Sequence, residues 1–195
     1  MANVAPTPIP GIPGPIKKYR EVITDYLYDS TLPGAVTTVT LFQVPIGAAV
    51  LLADTNMQQA SLIPFSERFM VRGIGGDIIP KARNVLLGAD YTSLNNLIDG
   101  SWELFINNKS YERGPLASIV YFRVFVEGEC AASTSFTFLY APFFHAKGYW
   151  SLPNPFVLTP GTPFRVVINW RNAPGASNPW RLYLYLFGER ERTVQ

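Results

Sequence analysis

The chain holds one cysteine, Cys130, and one histidine, His145, in 195 residues. A lone cysteine forms no intrachain disulfide and no thiolate metal cluster, so a small disulfide-stapled domain is excluded. A lone histidine cannot build a multi-histidine metal site. As a general base it would also want an orienting acid, yet residues 130–188 contain no acid at all. His145, inside "APFFHAKGYW", therefore reads as a structural or loop residue. No cofactor, metal or small-molecule substrate is expected, and no enzyme.

Charge is scarce as well. Charged residues make up 15% of the chain, against roughly 25% in an average soluble domain. Apolar residues reach 48%, which rules out a disordered body and leaves little polar surface to clothe a lone monomer. Neighbouring subunits are the expected cover for the surplus. A net charge of +2 is too small for binding driven by phosphate neutralisation. The signs are unevenly spread: residues 21–129 carry seven bases against twelve acids, and residues 130–188 carry four bases. If folding preserves that division, opposite faces steer copies together; if strands from both halves interleave, it averages out. No uninterrupted apolar run reaches the 18 or so residues of a membrane span. The lysines follow the first apolar stretch instead of preceding it, which does not read as a signal peptide.

What the chain has in quantity is strand and turn signals. "EVITDYLYD" (21–29) and "AVTTVTLFQV" (35–44) are rich in β-branched and aromatic residues, with Pro33-Gly34 as the turn between them. "ERFMVRGIGGDII" (67–79) alternates at Phe69, Val71 and Gly73 and then bends. "SWELFINNKSYERGPL" (101–116) predicts a hairpin, because Asn107 and Asn108 can both take positive φ. Further strands are expected at 118–129, 133–141, 155–160, 163–170 and 180–188. In the last, Leu182, Leu184 and Leu186 share one face while Tyr183, Tyr185 and Phe187 share the other, so the strand is expected inside a sheet covered on both sides. "DYTSLNNLID" (90–99) is the one plausible helix, with Asp90 or Thr92 as cap. About eight to nine strands with frequent turns imply an all-β sandwich or barrel over residues 21–195.

Three motifs invite a chemical reading. "GIGGD" (73–77) looks like a phosphate loop, but such loops open a helix and here Pro80 follows, so a β-bulge or sharp bend is expected. Glu127 and Glu129 would stand within about 7 Å on one strand face, a spacing of interest for glycoside hydrolysis; "EGEC" reads instead as a strand entering a turn. Of the four tryptophans, Trp102, Trp170 and Trp180 bound alternating strands and suit a core. Trp150, in "KGYWSLPNP", is expected on a loop, exposed, as the residue a sugar or receptor ligand would stack on.

Residues 1–20 form a separate unit. "VAPTPIPGIPGPIKKYR" (4–20) carries Pro6, Pro8, Pro10, Pro13 and Pro15, then Lys17, Lys18 and Arg20, and no acid. Five prolines fix φ and remove donors, so an extended arm near polyproline II is expected, with Ile9, Ile12 and Ile16 as anchors on a neighbour. Three bases give weak, salt-sensitive contact with a genome or an anionic membrane, and both partners stay open.

The hairpin "SWELFINNKSYERGPL", the closing "PFRVVINWRNAPGASNPWRLYLYLFGERERTVQ" and the arm together resemble the jelly-roll capsid proteins of icosahedral viruses. More narrowly, the chain looks like the small single-jelly-roll coat proteins of tailless, internal-membrane bacteriophages. The resemblance implies two four-stranded sheets in a shell and a subunit packed against copies of itself and other capsid proteins. It also implies a virion component made in the host cytoplasm, with arms reaching across neighbours. The alternative from another class is a carbohydrate- or receptor-binding β-sandwich of fibre or lectin type.

Overall fold

The computed structural model describes residues 19–47, 51–80, 88–122, 149–176 and 180–194. Within them the chain is all-β, with nine strands in two sheets and one helix. The first sheet runs β1 (Tyr19–Thr31), β9 (Trp180–Val194), β3 (Glu67–Pro80). The far edge of β3 is shared: β7 (Tyr149–Leu158) pairs antiparallel with Phe69–Gly75, and β6 (Val120–Phe122) pairs parallel with Gly76–Ile78. The second sheet has the order β2 (Thr38–Leu41), β8 (Phe164–Trp170), β4 (Gly100–Ile106), β5 (Lys109–Pro115), all antiparallel. Helix α1 (Gly88–Ile98) leads into β4.

Two-residue alternation builds the core. Phe164, Val166, Ile168 and Trp170 of β8 are buried, as are Trp102 and Leu104 of β4 and Leu182, Leu184 and Leu186 of β9. They join Phe69, Val71, Ile74 and Ile78 of β3 in one continuous apolar cluster. Each such side chain contributes about 1.5–3 kcal/mol by leaving water. Leu94 and Leu97 bring α1 onto this core. The indole N–H of Trp170 donates to the Leu97 carbonyl at 2.7 Å, satisfying one of the carbonyls that a helix C-terminus leaves without an intrahelical partner.

The expected hairpin forms, with Asn107 and Asn108 at φ 50° and 63°. The bulge expected in "GIGGD" lies just ahead of that motif: the register of β3 slips between Val71 and Gly73, and residues 73–77 then pair regularly with β9. The extra residue, Arg72, switches the inward set from Phe69 and Val71 to Ile74 and Ile78. Opposite it, β7 absorbs Leu152 to Pro155 while β3 advances from Val71 to Gly73, a distortion that suits Pro153 and Pro155.

Several expectations are corrected. The arm boundary at 20 shifts, because Tyr19 and Arg20 already belong to β1, paired with Val194 and Thr193. Strand 35–44 shrinks to Thr38–Leu41, because Phe42 turns to φ 68°. Its amide is held there by the buried carboxylate of Asp29 at 2.5 Å, and its ring packs 5.6 Å from that of Phe164. The expected strand 118–129 starts later, at Val120, after a 3-10 turn at Leu116–Ser118; residues 123–129 lie outside the described residues. The segment 133–141 lies outside the described residues.

The sign division of the sequence averages out on folding. Arg181, from the acid-free stretch, pairs with Asp54. Strands β8 and β9, which begin in that stretch, lie between β2 and β4 and between β1 and β3.

Candidate functional site

Antiparallel pairing of β1 with β9 sets Tyr26 opposite Phe187 and Tyr28 opposite Tyr185. Because Leu182, Leu184 and Leu186 point into the core, alternation sends Tyr183, Tyr185 and Phe187 to the outer face. On β3 that face carries Gly73 and Gly75, which sit opposite Phe187 and Tyr185 on one side and Ser151 and Tyr149 on the other. Without a side chain at Gly73, the Tyr149 ring of β7 lies over β3. A Cβ on Gly73 would overlap the Tyr149 ring.

The result is a pavement of six aromatic rings. Tyr149 meets Phe187 edge-on at 5.3 Å, and Phe187 lies 5.8 Å from Tyr185. Tyr185 stacks with Tyr183 at 6.4 Å and meets Tyr26 edge-on at 5.9 Å. Tyr28 is 5.8 Å from Tyr26. Both faces of β9 were expected to be covered; the leucine face is, whereas the aromatic face is only half-buried, with Tyr26 46% exposed. The rings shield one another edge to edge, and no further layer of described structure is needed to half-bury them.

Polar groups finish this surface. The Tyr185 hydroxyl donates to Asp77 Oδ2 at 3.4 Å, and burial, then the Asp77 charge, push its pKa well above the ordinary tyrosine value. Burial likewise raises Tyr28, whose hydroxyl donates to the Leu52 carbonyl. Both phenols therefore stay neutral donors at physiological pH. Leu51 and Leu52, which flank this end, are exposed, as is Val22 on β1. The Arg72–Glu189 pair at 2.9 Å lies at the bulge end of the face.

The remaining candidates separate from this face. Trp102, Trp170 and Trp180 are buried, as expected. Trp150 is exposed at 36%, but it stands on strand β7, paired with Ile74, not on a loop. Arg20 pairs with Glu191 at 2.6 Å. Arm residues Pro6 to Lys18 lie outside the described residues, as do Glu127, Glu129, Cys130 and His145. Among the described residues no three of His, Cys, Asp and Glu converge as metal ligands. A recess under Arg190, lined by Leu27, Met57 and Phe69 among others, has about 10 Å³ of free space, on the order of one water molecule. Arg190 sits there between Asp25, an ion contact at 2.7 Å without hydrogen-bond alignment, and Glu67, a hydrogen-bonded one at 3.1 Å.

Sequence alternation marked Tyr183, Tyr185 and Phe187 as a set. It missed Tyr26, Tyr28 and Tyr149 as their companions, because only strand register brings those rings together. Gly73 and Gly75 in "GIGGD" were the available signal, since glycine in a strand marks close approach by a neighbour. No protein-family model matches this chain, and no curated protein or solved structure is significantly similar to it.

Proposed function

We propose that this chain is a viral structural protein, a capsid subunit that packs with copies of itself and other coat proteins into an icosahedral shell. The observation that carries the reading is strand order. The long strands run β1-β9-β3-β7 in one sheet and β2-β8-β4-β5 in the other. Two Greek keys folded together would give this interleaving of early and late strands, and it supports reading the fold as a jelly roll of the kind common in viral shells. Fold alone does not fix function. Support also comes from the low charge content and from a half-exposed aromatic face flanked by exposed Val22, Leu51 and Leu52, surface of the kind that marks association. The proline-rich arm, residues 1–18, is assigned to contact with neighbouring subunits. Membrane or genome contact through Lys17, Lys18 and Arg20 is a minor addition to that role.

Light scattering after size exclusion tests the reading. Oligomers or shells are expected, alone or with the other coat proteins of the same virion, and deletion of residues 1–16 should impair assembly. A strict monomer at high concentration in both settings overturns it.

The exposure of Trp150 favours one second reading, a carbohydrate- or receptor-binding module. It requires tryptophan fluorescence to change with a sugar and Trp150→Ala to abolish the change; an unaltered spectrum across a glycan panel removes it.

A further inference from the structure

We propose that the six-ring face of the first sheet is the docking site for the proline-rich arm, residues 4–16, of a second copy of this chain. The inference deepens the capsid-subunit reading and rests on it only in requiring a second copy.

The arm has the chemistry the face needs. In polyproline II the repeat is three residues per turn at about 3.1 Å per residue. That period lines up Pro6, Ile9, Ile12 and Pro15 as one ridge and Val4, Thr7, Pro10, Pro13 and Ile16 as the next, apolar but for Thr7. The third side is Ala5, Pro8, Gly11 and Gly14, small for most of its length. Such a segment has two apolar faces for contact and one narrow back. Polyproline segments are recognised by grooves and faces of aromatic rings, because the helix is pre-formed and loses little entropy on docking. Prolines also leave their backbone carbonyls without local partners; the Tyr28 and Tyr185 hydroxyls already donate to Leu52 and Asp77, so those of Tyr26, Tyr149 and Tyr183 are the donors suited to them. The ridge from Pro6 to Pro15 spans about 28 Å. That comfortably covers the path Tyr149, Phe187, Tyr185, Tyr183, whose steps are 5.3, 5.8 and 6.4 Å. Lys17 and Lys18 follow the ridge, and Asp77 is the acid set among the rings.

Geometry favours a second copy over the chain's own arm. β1 starts at Tyr19 and runs toward Tyr26, so an arm that continued the strand direction would lead away from the rings. Tyr26 lies about 23 Å along the strand from Tyr19. Reversal at Gly14-Pro15, the nearest turn-forming pair, begins about 16 Å beyond Tyr19 and leaves residues 4–13, about 28 Å of polyproline II. Such an arm ends near Val22 or Ile23, short of the tyrosines. Reversal any later falls in "IKKY", which offers no glycine, proline, asparagine or aspartate to make the turn.

The full-length chain tests this with a photoreactive benzoyl-phenylalanine in place of Ile12. Light and 15N-labelled chains are mixed, irradiated and digested. Cross-links between light and heavy chains, landing on peptides that contain Tyr26–Tyr28 or Tyr183–Phe187, are expected. Links confined to one chain, links to another surface, or none at all overturn the proposal. A second measurement stands apart from assembly: polarisation of a fluorescent peptide of residues 1–18 against the dilute full-length chain. Binding should weaken about tenfold with Tyr26→Ser, and likewise for a peptide whose five prolines are alanine, with thermal melts verifying the fold. Equal affinity of all three pairings also overturns it. A monomeric chain that still binds the peptide in this way defeats the capsid reading and leaves the docking face standing. Oligomers whose arms cross-link elsewhere do the reverse.

Discussion

The ring of Tyr149 occupies the space a side chain at Gly73 would need. Gly73 has no positive φ, so sterics alone require glycine here, and they require it for the sake of a neighbouring strand. Gly73→Ala should lower stability by about 1–3 kcal/mol, the usual result of overpacking. It should move the urea midpoint and leave the m-value unchanged. In Tyr149→Ala the same substitution should be nearly silent, because the overlap is gone. Additive losses in the double variant would show that position 73 matters for some reason other than Tyr149.

Two buried tryptophans differ in what their indole N–H finds. Trp170 donates to Leu97 at 2.7 Å, whereas the Trp102 N–H has no acceptor among the described residues. Replacement by phenylalanine removes similar volume at each site. At Trp170 it also strands a helix carbonyl, which costs about 1–3 kcal/mol, while at Trp102 it relieves a desolvated donor. Trp170→Phe should thus be the more damaging by more than 1 kcal/mol or so. Amide exchange in Leu94–Ile98 should quicken only in that variant. Equal losses would mean the hydrogen bond carries no net stability.

These cases show where the sequence could be read and where it could not. Alternation in "RVVINW" and "RLYLYLF" told which side chains face inward, since a strand has only two faces and one of them is apolar. The Asn107-Asn108 turn was legible because two positive φ values in succession suit few other pairs. Neither signal reports which strands are neighbours. That Tyr26 meets Phe187, or that Tyr149 lies over Gly73, depends on pairings between residues more than a hundred positions apart in one case and seventy-six in the other. Phe42 misled the reading for a related reason. Its composition is that of a strand, but a carboxylate from β1 holds it at positive φ, a conformation that tertiary contacts must impose on a bulky residue.

Arg190 is held between Asp25 and Glu67 beneath the first sheet. Arg190→Met keeps the stem and its packing but leaves two carboxylates facing each other in a partly buried recess. A loss of roughly 2–4 kcal/mol is expected, close to that for breaking a buried pair. Adding Glu67→Gln should restore a measurable part of it by removing one of the like charges. If the double variant is less stable than Arg190→Met by the full cost of Glu67→Gln alone, the two sites are independent and the recess is not an electrostatic unit.

Asp29 is the buried acid of the structure as described, 6% exposed. Burial raises its pKa above the ordinary 3.8, opposed by hydrogen bonds from the Phe42 and Ser30 amides and from Thr55. The native state therefore holds this proton at pH values where the unfolded chain has released it. Stability from this group is full below about pH 3.8 and declines as pH rises through the raised folded value, after which it is level. In Asp29→Asn that slope disappears, so the stability difference between the parent and Asp29→Asn should shrink or turn negative as pH climbs through this window. Asp29→Ala should be worse than Asn at every pH by about 1–3 kcal/mol, because the buried Phe42 amide then has no acceptor. Urea titrations of the three proteins at half-unit pH intervals measure both effects. A parent that gains on Asp29→Asn with rising pH would mean the amide hydrogen bonds outweigh burial, and that Asp29 pins the Phe42 corner as a carboxylate stabilised in its charged form.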